Sequence, residues 1–173
     1  MKKRFVIVAV ILVLTLQLSA CGSAEFVEEV AEKIGVDVSS GKEVTVLDTH
    51  SGFHGDGMAY AVLKFSDDKL EKQIKTDERW KKLPLDKGAE TLAYGTKKRT
   101  DNTIEISGPY MIDEDKGNVL MPKVENGYYF LLNKENNKIS ITCEEIKNAS
   151  SLNVILAIYD TDKRMLYFCE LDT

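Results

Sequence analysis

The fold is decided by the segment LNVILAIYDTDKRMLYFCEL, residues 152–171. Apolar side chains occupy every second position in each half of this segment: Leu152, Val154, Leu156 and Ile158, then Met165, Tyr167, Cys169 and Leu171. A period of two places such side chains on one face of a β-strand. The polar run between the halves, residues 160–163, favours a turn. Residues 152–171 are therefore predicted to form a β-hairpin.

Shorter segments of similar character precede this hairpin. Residues 43–47 and 58–65 predict two strands, and the second is apolar at nearly every position, as in a strand buried on both faces. Further short strands are predicted at 91–94, 103–106 and 128–132. Because strands outnumber helices and short turns join neighbouring strands, the sequence predicts an α+β fold whose mainly antiparallel sheet is built from hairpins.

Two or three short helices complete this prediction. Apolar residues recur at helical spacing in one segment near the N-terminus: Phe26, Val27, Val30, Ala31 and Ile34. Glutamates fill the other face of this helix, and Gly35 is placed to end it. A second helix is predicted after Ser66, with Leu70 and Ile74 forming its inward stripe.

The N-terminal segment is typical of a cleaved signal peptide. Lys2, Lys3 and Arg4 are positively charged, and residues 5–16 form an apolar run that is too short for a membrane-spanning helix of about 20 residues. The sequence Leu18-Ser19-Ala20-Cys21 that follows resembles the lipobox of bacterial lipoproteins. This resemblance implies cleavage after Ala20 and attachment of acyl chains such as palmitate to Cys21. The expected location is the extracytoplasmic face of the cell membrane, with the lipid as anchor.

Three regions follow from these features. Residues 1–20 are predicted to be the signal peptide, 21–42 the lipid anchor with a short helix and linker, and 43–173 a single α+β domain. The net charge of the chain is −5, and removal of the three cations of residues 1–20 makes the mature chain −8. Nucleic acid is not an expected partner, because binding to phosphate requires clustered Lys and Arg.

The segment DTHSGFHGDG, residues 48–57, holds both histidines of the chain. Imidazole nitrogens and carboxylate oxygens are zinc ligands, so His50, His54, Asp48 and Asp56 are candidate ligands for a zinc ion. The glycines argue against a helix here. Two alternatives stay open: the loop binds another ligand, or it is a plain hairpin loop with glycine at positions of positive φ.

The remaining cysteines and acidic residues give weaker indications of chemistry. In an exported protein Cys143 and Cys169 could form a disulfide, and the alternative is two free thiols. Glu144 and Glu145 follow Cys143 and disfavour the thiolate that a nucleophile needs. The sequence therefore predicts a binding or interaction module, with a surface protein as a candidate partner, rather than an enzyme. The alternative is a metal-binding protein or metal-dependent hydrolase that uses His50 and His54.

One further resemblance covers residues 43–173. It is carried by residues 48–57 and 157–162 with Leu166-Tyr167, together with Gly108-Pro109-Tyr110 and residues 125–130. The set resembles a group of small exported proteins and lipoproteins of Gram-positive gut bacteria. That group has no established activity, so the resemblance implies the domain boundaries and the exported location, and it assigns no catalytic residue.

Overall fold

The predicted hairpin lies in a six-stranded antiparallel sheet. A computed structural model describes residues 21–50, 55–99 and 103–173, which belong to two compact units divided between Ser40 and Gly41. The strands are β1 Lys42–Asp48, β2 Gly57–Lys64, β3 Trp80–Lys82, β4 Thr96–Arg99, β5 Ile104–Ser107, β6 Ile112–Asp113, β7 Asn118–Val119, β8 Gly127–Asn133, β9 Val154–Asp160 and β10 Met165–Asp172. The helices are α1 Cys21–Ile34, α2 Lys69–Thr76, α3 Lys87–Tyr94 and α4 Cys143–Asn148.

The order of strands in the large sheet is β1-β2-β10-β9-β8-β3, and every neighbouring pair is antiparallel. The predicted hairpin is β9–β10, in which Leu166 lies opposite Tyr159. The other side of β10 pairs with β2, where Phe168 lies opposite Ala61. The strands β4–β5 and β6–β7 form two separate small hairpins. This architecture confirms the predicted α+β class with a mainly antiparallel sheet.

The main core lies on one face of the large sheet. Helices α3 and α4 contribute Ala89, Leu92, Ala93 and Ile146 to it. The sheet contributes alternate residues of its central strands: Met58, Tyr60, Val62, Tyr129, Leu131, Val154, Leu156, Ile158, Tyr167, Cys169 and Leu171. The intervening residues of β9 are also buried, so this strand is enclosed on both faces. Burial on both faces explains why the hairpin sequence is apolar at nearly every position.

The predicted strand at 91–94 is wrong, because these residues form the second half of α3. Asp86 caps this helix by accepting a hydrogen bond from the Ala89 N–H, and Gly95 ends it with φ of 73°. Ala89, Leu92 and Ala93 face the core at helical spacing. Four residues are too few to distinguish an apolar period of two, as in a strand, from one of 3.6, as in a helix. Here the capping residue Asp86 at the start and Gly95 at the end identify a helix.

The unit before Gly41 contains α1, the helix that the spacing of apolar residues 26–34 predicted. Gly35 has φ of 72° and donates its N–H to the Ala31 carbonyl, which ends the helix as predicted. On its polar face Lys33 pairs with Glu29. In the described ranges of the chain, no helix is both long enough and apolar enough to cross a membrane.

Candidate functional site

The predicted histidine loop joins β1 to β2 at one end of the large sheet. The Thr49 N–H donates to the Met58 carbonyl at 2.9 Å, and the Met58 N–H donates to Thr49 Oγ1 at the same distance. A Cβ atom on Gly57 would lie 2.6 Å from the Cα of His50, so the two strands can approach here only because Gly57 has no side chain. The loop therefore closes tightly at its base. His54 lies outside the described residues.

His50 lies between two carboxylates. Its Nδ1 atom is 2.8 Å from Oδ1 of Asp48, and its Nε2 atom is 3.3 Å from Oδ2 of Asp172. The first contact has hydrogen-bond geometry, whereas Nε2 is buried with no hydrogen-bond partner among the described residues. The structure thus brings Asp48 and His50 together as a pair. It adds Asp172, which no local sequence signal identifies, because the pairing of β10 with β2 brings Asp172 to this end of the sheet.

Lys134 extends this cluster into the protein. Its Nζ atom is 2.7 Å from Oδ1 of Asp172 and 2.6 Å from Oε1 of Glu170. Burial lowers the pKa of Lys134, but the hydrogen bonds to Asp172 and Glu170 outweigh it and hold the pKa above its usual range. Lys134, Asp172 and Glu170 therefore form one ion-pair network, and Nε2 of His50 lies 3.3 Å from its Asp172 end. We call these four residues the sheet-end network.

The candidate zinc ligands do not converge in the part of the loop that the structure describes. Across the described ranges, no group of three His, Cys, Asp or Glu side chains is arranged to hold a metal ion. Asp56 instead lines a small acidic cleft of about 340 Å³, together with Glu114 and Asp172. The zinc hypothesis also depends on His54, and it stays a prediction.

A second and larger cleft, of about 1210 Å³, lies between α3, α4 and the β4–β5 hairpin. We call it the hairpin cleft. Its lining contains two ion pairs. Lys87 and Glu90 of α3 are 3.1 Å apart, and Lys147 of α4 is 3.2 Å from Glu105 of β5. Because these charges are already matched, the cleft carries no strong net charge.

The β4–β5 hairpin presents an apolar and basic face beside this cleft. Lys97 lies opposite Ile106, and Arg99 lies opposite Ile104. Residues directly opposite each other share a face of a hairpin, and so do residues two apart on one strand. Ile106 is 70% exposed and Ile104 is 52% exposed, so this face carries two uncovered isoleucines, each opposite a cation of β4.

The two remaining cysteines are both free thiols, so the disulfide that the sequence allowed is not formed. Cys169 is buried in β10, and this burial, helped by the charge of Glu170, raises the pKa of its thiol far above its usual range. Cys143 starts α4 and lines the hairpin cleft, where its Sγ atom is 3.3 Å from Oγ1 of Thr91. Their positions in a core strand and in a surface cleft account for the free state of both thiols.

Comparison of this chain with protein-family models, with curated proteins and with solved structures found no match.

Proposed function

We propose that this chain is a bacterial lipoprotein, held by lipid on Cys21 at the extracytoplasmic face of the cell membrane. Its 43–173 domain acts as a binding module that holds a protein partner at the hairpin cleft. The location rests on the signal peptide and on the lipobox resemblance of residues 18–21. The binding role rests on one observation, the exposed isoleucine face of the β4–β5 hairpin beside an open cleft.

The lining of the hairpin cleft favours a protein partner over a small molecule. Small-molecule sites are mostly apolar and enclose most of the ligand in about 300–1,000 Å³. The hairpin cleft is larger and open, and its lining mixes apolar side chains with two matched ion pairs. Ile104 and Ile106 belong to this lining and give it strongly exposed apolar side chains. An apolar centre with a polar, charged rim is the usual composition of a protein interface.

The surroundings of Cys143 support binding rather than catalysis. Nucleophilic catalysis by a thiol usually pairs it with a general base such as histidine. The Sγ atom of Cys143 instead contacts Oγ1 of Thr91 at 3.3 Å, and the described lining of the cleft contains no histidine. His50 belongs to the sheet-end network instead, with its Nδ1 atom bonded to Asp48.

The anchor is tested by metabolic labelling with an alkyne analogue of palmitate in cells that express the full chain. We expect wild-type protein to carry the label and to sediment with membranes. Cys21→Ser should lose both properties, whereas the matched variant Cys143→Ser should keep them. Equal labelling of Cys21→Ser and wild type would show that the lipid is not on Cys21.

The binding role is tested by placing a photo-crosslinking amino acid at Ile106 in cells of the native host. The matched control position is Val119, which is 45% exposed and does not line the hairpin cleft. We expect a discrete protein adduct from position 106 and none from position 119. Ile104→Ser should reduce the adduct at 106, because the two isoleucines share a face. If the two positions give the same adducts, or position 106 gives none, the hairpin cleft is not the docking site.

A further inference from the structure

The charges around the hairpin cleft are unevenly placed. The acidic residues of its lining belong to α3, α4 and β5, whereas every charged residue of β4 is a cation: Lys97, Lys98 and Arg99. These three side chains are exposed, and no carboxylate of a described residue pairs with any of them. Lys147 of α4, by contrast, pairs with Glu105. The cleft is balanced as a whole, but β4 carries positive charge that the described residues do not compensate.

Two of these cations share a face with the exposed isoleucines. Lys97 lies opposite Ile106, and Arg99 lies opposite Ile104. Side chains directly opposite each other in an antiparallel pair have Cβ atoms about 4.5–5.5 Å apart. Lys98 belongs to the other face, because successive side chains of a strand alternate. The face of Lys97 and Arg99 therefore has a row of positive charge beside a row of apolar side chains, and we call it the basic hairpin face.

We infer that the protein partner at the hairpin cleft presents an acidic surface to the basic hairpin face. Carboxylates of the partner lie against Lys97 and Arg99, and its apolar side chains lie against Ile104 and Ile106. This inference rests on the proposed function and adds the chemistry of the partner. Charged groups that meet across an interface are complementary in sign, because like charges brought together there repel strongly. The isoleucines supply the apolar part of the contact, and the cations supply its charged rim.

The charge of the whole chain gives this face a role in specificity. The net charge is −5, and it is more negative still without the three cations of residues 1–20. Such a chain repels an acidic partner over most of its surface and attracts it only where cations are concentrated. The basic hairpin face therefore selects the orientation in which an acidic partner binds, and complementary charge of this kind affects specificity and association rate more than affinity.

An anionic membrane is the other negative surface within reach of a lipid-anchored protein. Segments that bind anionic lipids typically cluster about four to eight Lys and Arg residues. The basic hairpin face has only Lys97 and Arg99. The negative charge of the chain also opposes close contact with an anionic membrane. These observations favour an acidic protein surface as the occupant of the basic hairpin face.

The test uses the full chain with the photo-crosslinking amino acid at Ile106, in cells of the native host. We expect Lys97→Glu/Arg99→Glu to lower the yield of the protein adduct about tenfold, because carboxylates then meet carboxylates. Lys97→Arg/Arg99→Lys keeps both charges and should keep the adduct. The matched control Lys42→Glu/Lys138→Glu reverses two exposed charges outside the hairpin cleft and should also keep it. Circular dichroism of the full chain, purified in mild detergent, checks that each variant is folded.

Mass spectrometry of the unchanged adduct identifies the partner and the segment of it that is joined to position 106. Changing the nearest carboxylate of the partner to lysine should restore the adduct with Lys97→Glu/Arg99→Glu, which a merely structural effect of these substitutions would not do. Three results overturn the inference and leave the proposed function standing: an undiminished adduct in the charge-reversed chain, a joined segment without carboxylates, or no restoration. Absence of any protein adduct overturns both, and a lipid adduct in its place would assign the face to the membrane.

Discussion

The ammonium group of Lys134 lies 2.6 Å from the carboxylate of Glu170, a side chain that is 1% exposed. Glu170 belongs to the central strand β10. Residues 166–171 of this strand are all buried, and Glu170 is the one charged residue among these six. A buried carboxylate is costly unless a cation and hydrogen bonds compensate its lost hydration. Lys134, the residue after β8, supplies that compensation and also pairs with Asp172.

Lys134→Met is expected to lower the free energy of unfolding by about 2 kcal/mol, because it removes a cation from a buried carboxylate. The double variant Lys134→Met/Glu170→Gln should recover part of this loss, since no buried charge then remains. Urea unfolding followed by circular dichroism measures both. Lys138→Met is the matched control for loss of a surface lysine and should change stability by less than about 0.5 kcal/mol. A Lys134→Met protein as stable as this control would show that the pair contributes little.

Asp86→Ala is expected to destabilise the protein by about 1–2 kcal/mol, because Asp86 caps α3. Its Oδ1 atom accepts from the Ala89 N–H at 3.0 Å, and its Oδ2 atom accepts from the Tyr129 hydroxyl at 3.1 Å. Asn is also a good capping residue, so Asp86→Asn should keep most of the stability. Thermal unfolding distinguishes the two variants, and an equal loss in both would assign the effect to the charge of Asp86 rather than to the cap.

Stability is expected to fall steeply above pH 10. Burial raises the pKa of Tyr60, Tyr129 and Tyr159 to about 12, whereas a tyrosine in the unfolded chain has a pKa of about 10. Below pH 10 both states keep these protons and stability is unaffected. Between pH 10 and 12 the unfolded chain loses them first, so this contribution to stability disappears as the pH rises through that window.

Tyr159→Phe tests this pH dependence. The Tyr159 hydroxyl is buried without a hydrogen-bond partner among the described residues, so its removal should cost little at pH 7. The variant lacks one of the three tyrosines of raised pKa, so its free energy of unfolding should fall less steeply between pH 10 and 12. Urea unfolding at several pH values, with tyrosinate absorbance as a direct measure of ionisation, checks both points. Identical slopes for the variant and the wild type would contradict the assignment.

Gly88→Ala is expected to destabilise the protein by about 2 kcal/mol or more, although alanine favours a helix over glycine by about 1 kcal/mol. A Cβ atom at this position in α3 would lie 1.8 Å from the Ile141 carbonyl oxygen, which is a backbone atom. Gly117→Ala is the control: Gly117 has φ of 67° and open space around it, so only backbone strain of about 1 kcal/mol applies. A stabilised Gly88→Ala protein would mean that residues near Ile141 can move aside.

Zinc is expected to leave the melting temperature of the protein unchanged, because the described residues include no group of three side chains arranged to hold a metal ion. If residues 48–57 do hold zinc through His50 and His54, saturation at 100 times the dissociation constant would add about 2.7 kcal/mol and raise the melting temperature by several degrees. Thermal unfolding with zinc and with EDTA measures this. A shift that disappears in His50→Ala and in His54→Ala would establish the metal site.

The local parts of this fold could be predicted from the sequence, and the long-range parts could not. The β9–β10 hairpin and β2 carry strong apolar patterns and short turns, which act within a few residues. The contact of β10 with β2 joins segments about a hundred residues apart, and nothing local specifies it. For this reason Asp48 and His50 could be proposed as neighbours from sequence, whereas Asp172 and Lys134 could not. The hairpin cleft was missed for the same reason, since α3, α4 and β4–β5 meet only in three dimensions.

The place of β10 in the sheet has a consequence for the order of assembly. Residues 165–172 lie between β2 on one side and β9 on the other, so they join two groups of strands that do not otherwise touch within the large sheet. During synthesis β1 and β2 have no other strand of the large sheet to pair with until more than a hundred further residues have been made. A two-stranded hairpin is at best marginally stable in water. Completion of the sheet therefore depends on one of its last segments to be synthesised, and contacts so distant along the chain are slow to form.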